Sequence, residues 1–341
     1  MTDSGPGNTM RERVGESRLW LWLLLRMNRW LLTALVLSAV FVTLVALSQI
    51  GLTPLREIVE SQDGLDFLFS AFIGAIITGT SIVVTINQLV LSQELGAIGD
   101  QRERMQESIG FREDVERELV EGASPPEPAA FLYELLGGIQ DRATELEATM
   151  EDERDEKLQE EITEYVDDLT SNVASVQAEL EEAQFGTFDV IWNALNFNYS
   201  WKIYRARQIR AQHSDSLSEE ANDAIDGMIE VLTLFGPARE HFKTLYFQWE
   251  LIDLSRALLY ISVPALVAVA AMIMYVDDAV LPGRTLGVDN LVWLTSAGLV
   301  VGIAPFVVFI AFVLRIATVA KRTLAMGPFI LRKTEREDDM G

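Results

Sequence analysis

The chain has 341 residues, with 51 Asp and Glu against 27 Lys and Arg, a formal net charge of −24, two His and no Cys. Such a balance excludes nucleic acid as a partner, because affinity for nucleic acid depends on a sizeable basic surface. Without Cys there are no disulfides, thiolate metal sites or thiol nucleophiles, and His213 and His241 are too few for a His-based metal cluster in one chain. Only five of the basic residues are Lys. An acid excess of this size repels the compact state unless concentrated salt shortens the screening length to about 3 Å, so a salt-loaded cytoplasm is the simplest setting for it.

In chain order, residues 1–29 read as a tail carrying Arg11, Arg13, Arg18, Arg26 and Arg29. Within it, Leu19 to Leu25 holds Trp20 and Trp22, which fits either a helix lying in the membrane interface or the start of a long, tilted first span. The apolar run from Trp30 to Leu52 is too long for the core of a signal peptide and no small-residue cleavage pattern closes it, so a retained span is expected. Three further runs reach the roughly 20 apolar residues that a crossing needs: Phe67 to Leu91, Leu254 to Val276 and Leu291 to Leu314. Spans one and two then form a hairpin over 30–91, and spans three and four a second over 254–314.

The second span carries the most specific pattern. Gly74, Thr78, Ser81, Thr85, Gln88 and Ser92 recur at alternating steps of four and three, which aligns them on one stripe of a helix. The other side is apolar, with Ile73, Ile76, Ile77, Val83, Val84, Val90 and Leu91. Polar groups in hydrocarbon cost free energy unless they meet water or a partner, so two readings stand. In one, several copies ring an axis and the stripe becomes stacked rings of hydroxyls and amides that replace ion hydration. Asn87 and Glu94 then adjoin the inner end, while Glu57, Glu60, Asp63 and Asp66 form an acidic outer mouth that favours cations. In the other, the stripe packs inside the bundle, where Gly298 and Gly302 have the small-x-x-x-small spacing to meet it.

Residues 92–253 read as an acidic, almost wholly helical domain. Breakers are expected at Ser124 to Pro128, at His213 to Leu217, and at Gly236 with Pro237. Between the first two a helix of about 40 to 50 residues is expected, with a seam of Ile139, Ala143, Leu146 and Met150. The seam resumes at Leu158, Ile162, Tyr165, Leu169, Val173, Val176 and Leu180 after an apolar-free slip at Glu151 to Lys157. Its partner is either the later helix, Phe188 to Gln212, or the same helix of another subunit. The aromatic stretch Phe185, Phe188, Trp192, Phe197, Tyr199, Trp201 and Tyr204, interleaved with Lys202, Arg205, Arg207 and Arg210, suits docking at the inner interface or the core of a bundle.

Near the third span, Asp253 and Arg256 are spaced to pair, and Pro264 and Pro305 can kink the third and fourth spans. Residues 315–341 form a tail with Arg315, Lys321, Arg322, Arg332 and Lys333, whereas the short loops 53–66 and 277–290 hold one Arg each, Arg56 and Arg284. The positive-inside rule therefore places both termini and the 92–253 segment in the cytoplasm. There is no phosphate-binding glycine loop and no nucleophile elbow, and abundant acid pairs such as Asp167 with Asp168 are surface features in so acidic a chain. No enzyme activity and no cofactor is expected.

The passage Thr80-Ser-Ile-Val-Val-Thr-Ile-Asn-Gln-Leu-Val-Leu-Ser-Gln-Glu-Leu-Gly96, with Phe247-Gln-Trp-Glu-Leu251 leading into a span, resembles haloarchaeal four-span membrane proteins of unknown function. That resemblance implies a cell-membrane protein of a salt-loving archaeon and carries no ligand site. The expected fold is an all-α membrane protein with four transmembrane helices and a long helical, coiled-coil-forming cytoplasmic domain inserted between spans two and three. Span two is expected to run on past Gly96 into 100–120, and span three to grow out of 238–251. The layout fits a homo-oligomeric, cation-leaning ion channel with a cytoplasmic gating domain. The alternative is a membrane-anchored scaffold without a pore that holds a cytoplasmic protein partner.

Overall fold

The computed structural model describes residues 22, 27–50, 63–118, 122–150, 155–181, 188–277 and 280–322. In chain order its elements are α1 (Arg29–Ile50), α2 (Asp63–Glu94), α3 (Ile98–Glu118), α4 (Pro128–Ala148), α5 (Glu156–Glu181), α6 (Phe188–Leu195), α7 (Tyr199–Gln212), α8 (Glu219–Tyr275), β1 (Arg284–Thr285), β2 (Val288–Asp289) and α9 (Asn290–Arg322). Two compact units divide the chain: Gly96–Tyr246 makes one, and the described parts of Ser17–Leu95 and Phe247–Val319 make the other.

Local chemistry sets the helix starts in the first unit. Glu127 accepts from the Ala130 N–H at 2.7 Å with Pro128 in the first turn, Asp155 accepts from Lys157 N–H at 3.1 Å, and the Ser218 hydroxyl accepts from Ala221 N–H at 3.1 Å. The expected helix of 40 to 50 residues is two helices, folded back at the apolar-free slip. Gln177 donates to the Tyr133 carbonyl at 3.0 Å while Gln159 donates to that of Met150, so α4 and α5 run antiparallel. Ile139, Ala143 and Leu146 of the first half-seam thus share one core with Leu158, Ile162 and Leu169 of the second. Each half-seam is the other's main partner, because folding at the slip lets both bury at once. The bundle closes with Phe197, Tyr199 and Ile203, and with Met228, Leu232 and Phe235 from the first part of α8. Of the aromatic stretch, Phe197 and Tyr199 are core, Trp192 and Trp201 are half-buried and Tyr204 is exposed, while Phe185 and the Phe188 side chain lie outside the described residues.

Two further expectations need correction here. Phe188 to Gln212 is broken at Asn196–Asn198 into α6 and α7. By contrast, Gly236 and Pro237 do not interrupt α8, which is one helix of 57 residues. Fully buried Val231, Leu232, Phe235 and Ala238 flank the pair, and core packing there outweighs the backbone hydrogen bond that Pro237 cannot donate. Gly236 is needed for another reason: a Cβ there would lie 3.1 Å from the Tyr199 ring.

In the second unit α2, the 247–275 part of α8, and α9 pack as three helices. One cluster joins Leu65, Phe69 and Ile76 to Ala265, Val269, Met272 and Leu291, and the next joins Val83 to Leu254, Leu258, Val308 and Phe312. Close approach depends on Gly298 and Gly302, where an added Cβ would meet Met272 Sδ at 2.8 Å and Phe72 at 3.1 Å. These glycines meet large residues of α8 and α2 and do not receive the polar stripe. Thr80 and Ser262 share a hydrogen bond of 2.9 Å between α2 and α8. In α1 only Thr33 is buried, and its ring contact is Phe41 with Trp293 at 5.8 Å. Leu95–Ala97 breaks the expected run of α2 into α3. Asp63 and Asp66, expected in a loop, belong to the first turn of α2, while Glu57 and Glu60 lie outside the described residues. Asp253 and Arg256 are both exposed and form no ion pair with each other.

Candidate functional site

At about 100° per residue, positions 74, 78, 81, 85, 88 and 92 of α2 lie within roughly 40° of a common line, while 65, 69, 76 and 83 fall on the opposite side. Burial follows that geometry. Leu65, Phe69, Ile76 and Val83 are the buried residues, at 7%, 0%, 1% and 3% exposure. Gly74, Thr78, Ser81, Thr85, Gln88 and Ser92 are all exposed, and nothing lies within 4 Å of a Cβ built on Gly74. The structure therefore brings all six stripe residues together on one face, opposite the one that α2 buries against the described helices of its own unit. Among the described residues, no helix of the same unit packs against the stripe.

The hydroxyls on that face are satisfied locally. Ser81 donates to the Ile77 carbonyl at 2.8 Å, Thr85 to that of Ser81 at 2.9 Å, and Ser92 to that of Leu89 at 2.7 Å. Back-bonding of this kind lowers the cost of a hydroxyl in an apolar setting, yet leaves its oxygen lone pairs pointing outward. Gln88 is different, because its long amide has four hydrogen-bonding sites and stands exposed near the end of the row. Ile77, Ile82 and Leu89 flank the stripe and are exposed as well, so the outer face is a polar line bordered by large apolar side chains. Of the neighbouring polar residues, Thr80 turns to Ser262, and Asn87 is half-buried with an Oδ1 that has no hydrogen-bond partner among the described residues. The Glu94 side chain lies outside the described residues. Asp66, the described carboxylate of the expected outer mouth, is exposed in the first turn of α2.

Sequence reasoning missed a second polar focus. Arg29, at the start of α1, holds Glu250 of α8 through two hydrogen bonds of 2.5 and 2.9 Å, and its guanidinium lies 4.4 Å from the Phe312 ring centroid. The signal available was Glu250 itself, the one charged residue in the run Phe247 to Leu251, beside Gln248 and between aromatic and apolar residues. Among the described residues no group of three or more His, Asp or Glu is placed to hold a metal ion.

The molecule is thus a predominantly helical protein with four helices long and apolar enough to cross a membrane, as a multi-pass membrane protein requires. The chain belongs to a family of unknown function (DUF7972), whose model matches residues 1–341. No curated protein and no solved structure matches it.

Proposed function

We propose that this is a multi-pass membrane protein of a salt-loving archaeal cell, with both termini and residues 92–253 in the cytoplasm. In this reading it assembles as a symmetric homo-oligomer whose second spans surround an ion path. One observation carries the reading: the polar line of α2 is diametrically opposite the face that α2 buries in its own chain, with all six stripe residues exposed. A row of hydroxyls and an amide on the outside of a three-helix unit gains most where copies meet around water. Asp66, with Glu57, Glu60 and Asp63, gives the outer end a negative field and a preference for cations. Residues 92–253 then serve as the gating domain.

The back-bonded hydroxyls favour a second reading, since Ser81, Thr85 and Ser92 need no further acceptor and can face lipid. The protein would then be a scaffold without a pore, whose helical unit holds a cytoplasmic partner. Native mass spectrometry of the full chain in detergent and high salt, followed by planar-bilayer recording, separates the two. A channel gives a ring of several copies, with conductance changed by Thr85→Val and Gln88→Leu at unchanged expression. Monomers, or assemblies that conduct nothing, leave the scaffold.

A further inference from the structure

At one end of the second unit, α1, α8 and α9 converge on a cavity of about 590 Å³ lined by Arg29, Arg256 and Arg315 together with Trp30, Asp253 and Tyr260. Three guanidiniums from three different helices share this wall in a chain whose net charge is −24. The one buried carboxylate beside them, Glu250, is already engaged at both oxygens by Arg29. Asp253 and Arg256 are both exposed and not joined to each other, and Arg256 lines the cavity. Trp30 and Tyr260, at 53% and 76% exposure, flank the opening as aromatic residues do at the boundary of hydrocarbon and water.

We propose that this cavity binds the phosphate headgroup of an anionic membrane lipid, an inference that rests on the membrane reading above. Basic cavities between helices at the inner membrane surface are suited to such headgroups, and guanidinium matches phosphate through paired hydrogen bonds. A second feature selects a lipid over a free anion. Arg256, Tyr260, Val263 and Val267 recur at steps of four, three and four, which places them on one line of α8. Below Tyr260 that line is apolar and open, with Val263 and Val267 at 61% and 65% exposure. From position 256 to 267 it extends about 16 Å at 1.5 Å per residue, close to the thickness of one hydrocarbon leaflet. A headgroup held at Arg256 therefore has an acyl-chain track leading directly away from it.

The test is native mass spectrometry of the detergent-purified full chain titrated with phosphatidylglycerol, phosphatidylcholine of the same acyl chains, or inorganic phosphate. Phosphatidylglycerol should be retained at lower concentration than phosphatidylcholine. Arg256→Gln, an exposed position that the fold tolerates, should weaken that retention by about tenfold and leave phosphatidylcholine unchanged, the loss expected for one charge-assisted contact. Val263→Asn should weaken both lipids and leave any phosphate binding intact. Equal retention of the two lipids, indifference to Arg256→Gln, or full displacement by inorganic phosphate would each overturn the proposal. Release of the protein from membranes by alkaline carbonate without detergent would instead overturn the membrane reading itself.

Discussion

Arg29 and Glu250 lie 221 positions apart in the chain and meet in a two-point ion pair, yet the two partners are unequally enclosed: the Glu250 side chain is 4% exposed and that of Arg29 is 22% exposed. Because α1 buries little else, this pair and the stacking of Arg29 on Phe312 are the specific contacts at that end of the helix. The inequality makes the consequences of breaking the pair asymmetric.

Removing the arginine is the more damaging change. Arg29→Ala strands a carboxylate with no exit to water and should cost about 3 to 5 kcal/mol, whereas Glu250→Ala leaves a long cation that can reach the surface and should cost about 1 to 2 kcal/mol. Thermal unfolding of the two single variants and the double variant in detergent measures both the order and the coupling. Equal costs would show that the enclosure of Glu250 is not what matters.

A similar inequality exists in the helical unit. Lys202 is completely buried and bonds Asp168, whose side chain is 47% exposed, and burial pulls the lysine below its usual range. Replacing the cation by an apolar residue of similar length leaves Asp168 hydrated, so Lys202→Met should be neutral or stabilising by about 1 to 4 kcal/mol. Asp168→Ala should destabilise by about 1 to 3 kcal/mol, because it leaves the ammonium buried without its carboxylate. Chemical denaturation of the full chain decides it, and a destabilised Lys202→Met would mean that the ammonium fixes the α5–α7 geometry.

Two carboxylates give the same unit an acid limit. Hydrogen bonds from the Leu158 N–H, then from Lys157 N–H and Ser216, with nearby His213, hold Asp155 below its usual range, opposed by partial desolvation. Glu116 is held down by the Ser124 N–H and then its hydroxyl, with a smaller contribution from Arg112. A carboxylate lowered in the folded state stabilises above its unfolded pKa, about 3.9 for Asp and 4.3 for Glu, and loses that contribution as pH falls through the lower folded value. Denaturation midpoints should therefore drop from about pH 5 downward, and Asp155→Asn with Glu116→Gln should flatten the fall. An unchanged slope in the double variant would place the acid sensitivity in other groups.

How much was readable depended on whether the deciding partner was local. The four apolar helices and the alignment of Gly74 with Thr78 through Ser92 follow from periodicity within one segment, and both are present. The direction of the stripe was not readable, since α2 has apolar residues on several sides and only tertiary contact shows that Ile76 and Val83, not Ile77 or Leu89, are buried. The half-seams at Ile139 and Leu158 were visible, but a slip in register looks the same in sequence whether a helix continues or folds back. Gly236-Pro237 carries a strong local stop signal that the surrounding core overrides. Lys202–Asp168 and Arg29–Glu250 join different elements, and neither has a spacing rule that would reveal it.

The two faces of α2 should respond oppositely to substitution. Phe69→Ala empties a fully buried site; in water this costs about 3 to 5 kcal/mol, but with the helices in lipid, as the proposed membrane reading has it, only lost packing counts and about 1 to 3 kcal/mol is expected. Thr85→Val keeps the side-chain volume, removes one back-bonded hydroxyl from an exposed position, and should change the stability of a single subunit by less than about 0.5 kcal/mol. Unfolding in detergent at a dilution that keeps subunits apart tests the first contrast, and cross-linking yield at high protein concentration tests the second. If Thr85→Val reduces cross-linked oligomer while leaving the dilute unfolding midpoint in place, the stripe acts between copies. Should it lower the dilute midpoint as much as Phe69→Ala does, the stripe would have to be buried within one subunit.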